Sequence, residues 1–183
     1  MRPAATDGGV APDAASGATI HAVCVVLGEA GLLIRGAAGS GKSRLALELI
    51  ERAGRSGRHA SLVADDRVVI TRSSGRLVAR PHPVLTGLIE VRGLGILRVA
   101  QRMEAAVLRL VLDLVDARPR LPEPAIDACE ILGVSLARLA LDRTLLSSPS
   151  AAALVEDRLI ADREGVAGLS HPPILAWGNP PDV

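Results

Sequence analysis

Gly36-Ala37-Ala38-Gly39-Ser40-Gly41-Lys42-Ser43 has the spacing G-x-x-x-x-G-K-[ST], the loop that wraps a nucleotide phosphate. Each residue type has a task there. Gly36, Gly39 and Gly41, with Ser40 between them, let backbone N–H groups turn inward around an anion. Lys42 reaches the β- and γ-phosphates, and the Ser43 hydroxyl ligates Mg²⁺. The chemistry is phosphoryl binding, with a nucleotide and Mg²⁺ expected at the loop. A guanine-reading N-K-x-D motif is missing, since Asn179 is the sole asparagine.

A phosphate loop holds a nucleotide but does not name a reaction. An acidic group near the metal is also required, at the end of a neighbouring strand. Asp65-Asp66 follows the apolar Leu62-Val63-Ala64, and Asp113 and Asp116 follow the apolar run from Leu108 to Leu112. A lone Asp after a strand is often a turn former or helix cap. Two adjacent carboxylates are harder to explain that way, because they repel unless a cation or proton lies between them.

These groups need elements to position them. Leu32 to Arg35 reads as a buried strand entering the loop, and Leu45-Ala46-Leu47-Glu48-Leu49-Ile50 as a helix leaving it, over about Lys42 to Ala53. The N-terminus of that helix adds partial positive charge at the phosphate. Further strands are expected at His21–Val26, Ser61–Ala64, Arg67–Thr71, Arg76–Arg80, Ala106–Val115 and Ser135–Leu141. Ser150 to Ala161 reads as a helix capped by Ser148 or Ser150. Leu88 to Ile96, with two close glycines, reads as a loop or strand edge. Residues 1–17 read as a flexible tail, Pro119–Pro124 as a linker and 166–183 as an irregular tail, leaving 18–165 as one α/β domain.

Composition removes several classes of function. The net charge of +1 gives no electrostatic case for nucleic acid or an anionic membrane. With one Trp and no Tyr or Phe, no stacking platform exists for bases, and a bound nucleotide is held mainly by its phosphates. No apolar run reaches the length of a membrane span, and no secretory signal opens the chain, so a cytoplasmic protein is expected. Cys24 and Cys129 lack metal-ligand spacing and are expected as buried thiols.

Four blocks in order resemble the HPr kinase/phosphorylase catalytic domain. They are His21, the loop Gly36–Ser43, Leu62-Val63-Ala64-Asp65-Asp66-Arg67, and Leu88-Ile89-Glu90-Val91-Arg92-Gly93-Leu94-Gly95-Ile96. The last is similar to the family signature E-[IV]-R-G-L-G-[IL], which ordinary P-loop enzymes lack. The resemblance spans roughly residues 20 to 145. It implies a P-loop kinase fold related to phosphoenolpyruvate carboxykinase, with a mixed central sheet and flanking helices. It implies transfer of phosphate from ATP to a serine of HPr or an HPr-like phosphocarrier, with phosphorolytic removal in many members, and a homo-oligomer. It assigns Asp65 as the base and Asp66 as the acid near the metal, with the opposite division left open. It places His21 and Arg92 at the phosphates, and it gives Glu90 a second metal, held directly or through water, besides the Mg²⁺ of Ser43. Arg138 is a candidate lid arginine. The short N-terminal tail resembles the truncated form typical of alphaproteobacteria. The stretch Gly54–Ser61 is longer than usual, and the match fades beyond Leu145.

Two other readings compete. A P-loop small-molecule kinase leaves Glu90-Val91-Arg92-Gly93 unexplained. A non-catalytic nucleotide sensor would not need to keep both Lys42 and the acidic pair.

Overall fold

The computed structural model describes residues 17–117 and 128–163. The proposed linker and C-terminal tail, and the N-terminal tail apart from Gly17, lie outside them. The order is β1 (Gly17–Leu27), β2 (Ala30–Gly36), α1 (Lys42–Arg55), β3 (Ala60–Ala64), β4 (Arg67–Ser73), β5 (Arg76–Pro81), β6 (Leu88–Val91), β7 (Gly95–Arg98), β8 (Ala106–Val115), β9 (Ala128–Ile131), β10 (Val134–Asp142), α2 (Arg143–Leu146) and α3 (Ala151–Arg163). Among the described residues no helix is long and apolar enough to cross a membrane.

The sheet is mixed and closes on itself. β1 pairs antiparallel with β2, β3 and β4. β2 runs parallel to β8, and β8 parallel to β10. β4 pairs with β5 and β5 with the start of β8, both antiparallel. The circuit β1-β2-β8-β5-β4 is therefore a ring, with β3 and β10-β9 as outriggers.

Alternation along the strands builds two cores. Ala22, Cys24 and Val26 of β1 face the inside of the ring, with Val68, Ile70, Leu77, Ala79, Leu108 and Val111. Val23, Val25 and Leu27 face outward beneath the helices, with Leu32, Ile34, Leu110 and Leu112. Helix α1 covers that second face with Leu45, Ala46, Leu49 and Ala53, and α3 adds Ala152, Val155 and Leu159. Arg52 and Arg58 both reach buried Glu156 of α3, at 3.2 and 2.6 Å. The helices thus cover one half of the ring, and among the described residues the outer face of β4 and β5 carries none.

Where Leu88–Ile96 was expected as a loop or strand edge, a hairpin forms: Leu88 pairs with Arg98 and Val91 with Gly95. Its turn is closed by the Leu94 amide on the Val91 carbonyl at 2.9 Å. Gly93 and Gly95 have φ of 87° and 86° with open space at their Cβ positions. They serve the left-handed backbone of this turn.

Cys24 is buried and Cys129 half-buried, and both are free thiols. Burial pushes the Cys24 thiol up to about 12.

Candidate active site

The phosphate loop lies between β2 and α1, at the C-terminal end of β2. The first helical hydrogen bond runs from the Leu45 amide to the Gly41 carbonyl at 2.9 Å. Lys42 is buried, and its Nζ donates to the Gly36 and Ala37 carbonyls, each at 3.0 Å. Burial lowers its pKa, while the charges of Asp65 and Asp66 push the other way. The ammonium is held folded back along the loop that it would serve.

The two adjacent aspartates separate into different environments. Asp65, at the end of β3, is 6% exposed. Its Oδ1 accepts from the Ser43 hydroxyl at 3.0 Å and its Oδ2 from the Glu90 backbone amide at 2.8 Å. Burial raises its pKa, and the hydrogen bonds from Glu90, Ser43 and the Asp66 amide partly oppose this. Asp66 is half-exposed and faces His21, whose Nδ1 lies 2.9 Å from its Oδ1. Its φ of 68° is left-handed, a region that Asp tolerates better than most residues. The Arg67 amide closes a tight turn on the Asp65 carbonyl at 2.8 Å, and the Ala22 amide donates to the Asp66 carbonyl at 3.3 Å. The turn sends consecutive carboxylates to opposite sides, one onto the loop and one onto the middle of β1.

Ser43 therefore meets Asp65 and not Asp66. Glu90 reaches the site through its amide; its side chain is exposed and opposite Ile96 in the hairpin. Among the described residues no three His, Cys, Asp or Glu side chains converge on one point. The Ser43 hydroxyl and the Asp65 carboxylate are nonetheless the hard oxygen pair that Mg²⁺ takes alongside nucleotide phosphates. Arg92 arrives from the hairpin. A Cβ built on Gly39 would lie 3.1 Å from Arg92 Nη2 and 3.3 Å from its Cζ, so the guanidinium rests on the phosphate loop. Gly39, at φ 75°, leaves the room it occupies.

The other acids are spoken for. Asp113 accepts from Arg35 Nε and Nη2 at 2.7 and 2.8 Å and from Arg138 Nε at 2.6 Å. Burial alone would raise the Asp113 carboxyl, but the two arginines outweigh it and hold it below its ordinary value. Arg138, the candidate lid residue, lies on β10 opposite Val111 and reaches diagonally across to Asp113 of β8. Asp116 is exposed and pairs with Arg143 at 2.8 Å. The hydrogen bond from the Glu90 amide to Asp65 and the Arg35–Asp113–Arg138 cluster are not legible in the sequence. An arginine and an aspartate ending two strands was the available signal, but strand adjacency was not.

A phosphate loop at the C-terminal end of a sheet strand, a Ser–Asp pair beneath it and an arginine over it mark a P-loop domain, and the fold is related to that of phosphoenolpyruvate carboxykinase. The chain belongs to the HPr Serine kinase C-terminal domain family, whose profile matches residues 13–115. It is 35% identical over 119 residues to HPr kinase/phosphorylase of Mycoplasma mycoides subsp. mycoides SC, covering 62% of this chain and 35% of that one. It is 43% identical over 82 residues to that of Clostridium botulinum strain Eklund 17B, covering 45% and 25%. The chain thus spans about a third or less of the curated relatives it matches. A solved structure, the Hpr(Ser) kinase/phosphatase from Coxiella burnetii, matches with a TM-score of 0.67 and 26% identity, over 82% of this chain and 99% of that one.

Proposed function

We propose that residues 18–165 form an ATP-dependent protein serine kinase whose acceptor is HPr or an HPr-like phosphocarrier, working in the cytoplasm as a homo-oligomer. The observation that carries this reading is the division of the acidic pair: Asp65 is buried on Ser43, and Asp66 is exposed on His21. A transferase needs one acid that never leaves the metal side and another that an incoming hydroxyl can reach. The roles thus fall opposite to the first expectation from sequence. Asp65 stands on the metal side with Ser43, and Asp66 is the base.

In the forward direction the acceptor serine oxygen forms a bond to the γ-phosphorus as the bond from that phosphorus to the β,γ-bridging oxygen breaks. Asp66 takes the serine proton, and His21 holds its carboxylate in place. Mg²⁺, when bound, neutralises charge on the phosphates. Lys42 leaves its loop carbonyls for the β- and γ-phosphates. Arg92, resting on Gly39, grips the travelling phosphoryl group with a planar fork. Glu90 fixes Asp65 through its amide, and its exposed carboxylate is a candidate metal ligand. In reverse, an oxygen of inorganic phosphate bonds to the phosphoserine phosphorus as the bond from that phosphorus to the serine oxygen breaks; Asp66 relays the proton of the incoming phosphate to the serine oxygen, and pyrophosphate leaves.

The test uses labelled ATP, Mg²⁺ and HPr. Asp66→Asn is expected to lower transfer by about 10²–10⁴ with nucleotide binding retained, and Asp65→Asn to raise the Mg²⁺ requirement. Wild-type rates in Asp66→Asn would remove it as the base. Transfer to a metabolite in place of HPr would establish the small-molecule kinase.

A further inference from the structure

Among the described residues no helix covers the outer face of β4 and β5, and the one carboxylate at its edge is Asp66, on His21. β1, β4 and β5 contain no Asp or Glu. Their outward face is set by register: His21 lies opposite Arg67, Val69 opposite Arg80, Thr71 opposite Val78 and Ser73 opposite Arg76. The inward partners Val68, Ile70, Leu77 and Ala79 are buried, while Arg67, Arg76 and Arg80 are exposed. Arg80 Nη1 donates to Thr71 Oγ1 at 3.3 Å, which places both side chains on this outer face. None of the three arginines enters an ion pair among the described residues. Half-buried Val69 and Val78 lie between them.

A chain of net charge +1 has therefore gathered unpaired cations on one sheet face, around an aliphatic centre. Arginine around an apolar centre is the composition of a protein interface. The face is continuous with the active site, because Arg67 follows Asp66 directly and pairs with His21. From Arg80 to Arg76 is four residues of strand, about 13 Å. An acceptor whose serine reaches Asp66 must cover part of this face. A second copy meeting it face to face would set arginine against arginine.

We infer that the outer face of β4 and β5 docks the acceptor protein, through acidic side chains that flank its phosphorylated serine. This rests on the kinase reading above. Arg76 and Arg80 are specificity-determining contacts remote from the transferring phosphate. They set how tightly the acceptor binds and leave the chemical step alone.

The test compares wild type, the double variant Arg76→Glu/Arg80→Glu, and Arg55→Glu, which removes an exposed cation from the far end of α1. Two readouts are taken with HPr: steady-state transfer from Mg-ATP, and calorimetric binding of HPr to the enzyme. The double variant is expected to raise KM and Kd for HPr roughly tenfold or more, with kcat and ATP affinity within twofold. Wild-type binding is expected to weaken with salt, and Arg55→Glu to change nothing. Unchanged KM and Kd in the double variant, or equal losses in Arg55→Glu, would overturn the docking face. So would a face that binds anionic vesicles or duplex DNA while HPr binding is unmoved. Wild type that binds HPr through this face without phosphorylating it would refute the kinase reading and support the docking one. Wild type that neither binds nor phosphorylates HPr would refute both.

Discussion

Asp113 discriminates between a structural and a catalytic acid. Its carboxylate receives three charge-assisted hydrogen bonds, at 2.7, 2.8 and 2.6 Å, and the side chain is 14% exposed. Arg35 and Arg138 are 28% and 31% exposed. Asp113→Asn keeps the shape and one acceptor oxygen but loses the charge that two half-buried guanidinium groups share. Charged hydrogen bonds contribute about 1.5–3 kcal/mol each, and breaking a buried pair costs about 3–5. Water reaches both arginines, so the lower end applies, about 3 kcal/mol. For a chain of this size that lowers Tm by roughly 6–12 °C. The pH dependence has a definite sign. The carboxyl is held below its ordinary value in the fold. Its contribution is therefore fully present above about pH 4 and is lost as pH falls through the lowered folded value. The variant lacks that acid limb. Thermal melts across pH, with transfer measured at a temperature where both proteins are folded, decide the matter. A melt shifted by under 2 °C together with a hundredfold loss of transfer would make Asp113 the metal-side acid and dissolve the role given to Asp65.

Lys42→Ala is expected to abolish transfer and weaken ATP binding in a nucleotide titration; unchanged turnover sinks the phosphate-loop assignment. Asp65→Asn is expected to raise the Tm of the nucleotide-free protein. Burial raises that carboxyl, so its ionised form opposes folding above the raised folded value, and the gain disappears below about pH 4. A lower Tm at pH 7 would show that its hydrogen bonds to Ser43 and Glu90 outweigh burial. Arg92→Ala is expected to slow the reverse reaction more than the forward one, because free phosphate has fewer fixed contacts. Arg92→Lys recovers little, since lysine lacks the fork. Equal losses in both directions on one preparation would assign Arg92 to the shared transition state or to folding.

The parts of the site that were legible in sequence are local. The phosphate loop is eight consecutive residues, and its flanking strand and helix announce themselves through apolar spacing. The acidic pair was legible as a pair, but not as two roles. Which carboxylate turns toward Ser43 depends on a left-handed backbone at Asp66 and on the Ala22 amide from another strand. Arg92 stands out in its block, yet its place on Gly39 needs the hairpin, which glycine spacing alone reads as a loop or strand edge. Arg138 shows the converse error. A strand arginine looks free in sequence until strand order brings β8 beside β10. Ring closure was illegible for the same reason: alternation reveals a strand's faces but not its neighbours.

The ring also bears on how the chain reaches its native state. The strand leading into the phosphate loop acquires its second neighbour only when β8 arrives, and Arg35 and Asp113 are 78 residues apart in sequence. Contacts that distant form against a large loss of chain entropy, so proteins built on them fold slowly. The hairpins β1-β2 and β4-β5 can assemble early, but neither fixes the loop against the base of β3. Nucleotide affinity is thus a late acquisition. In a refolding experiment it should rise with the slowest phase, after most of the strand signal is in place.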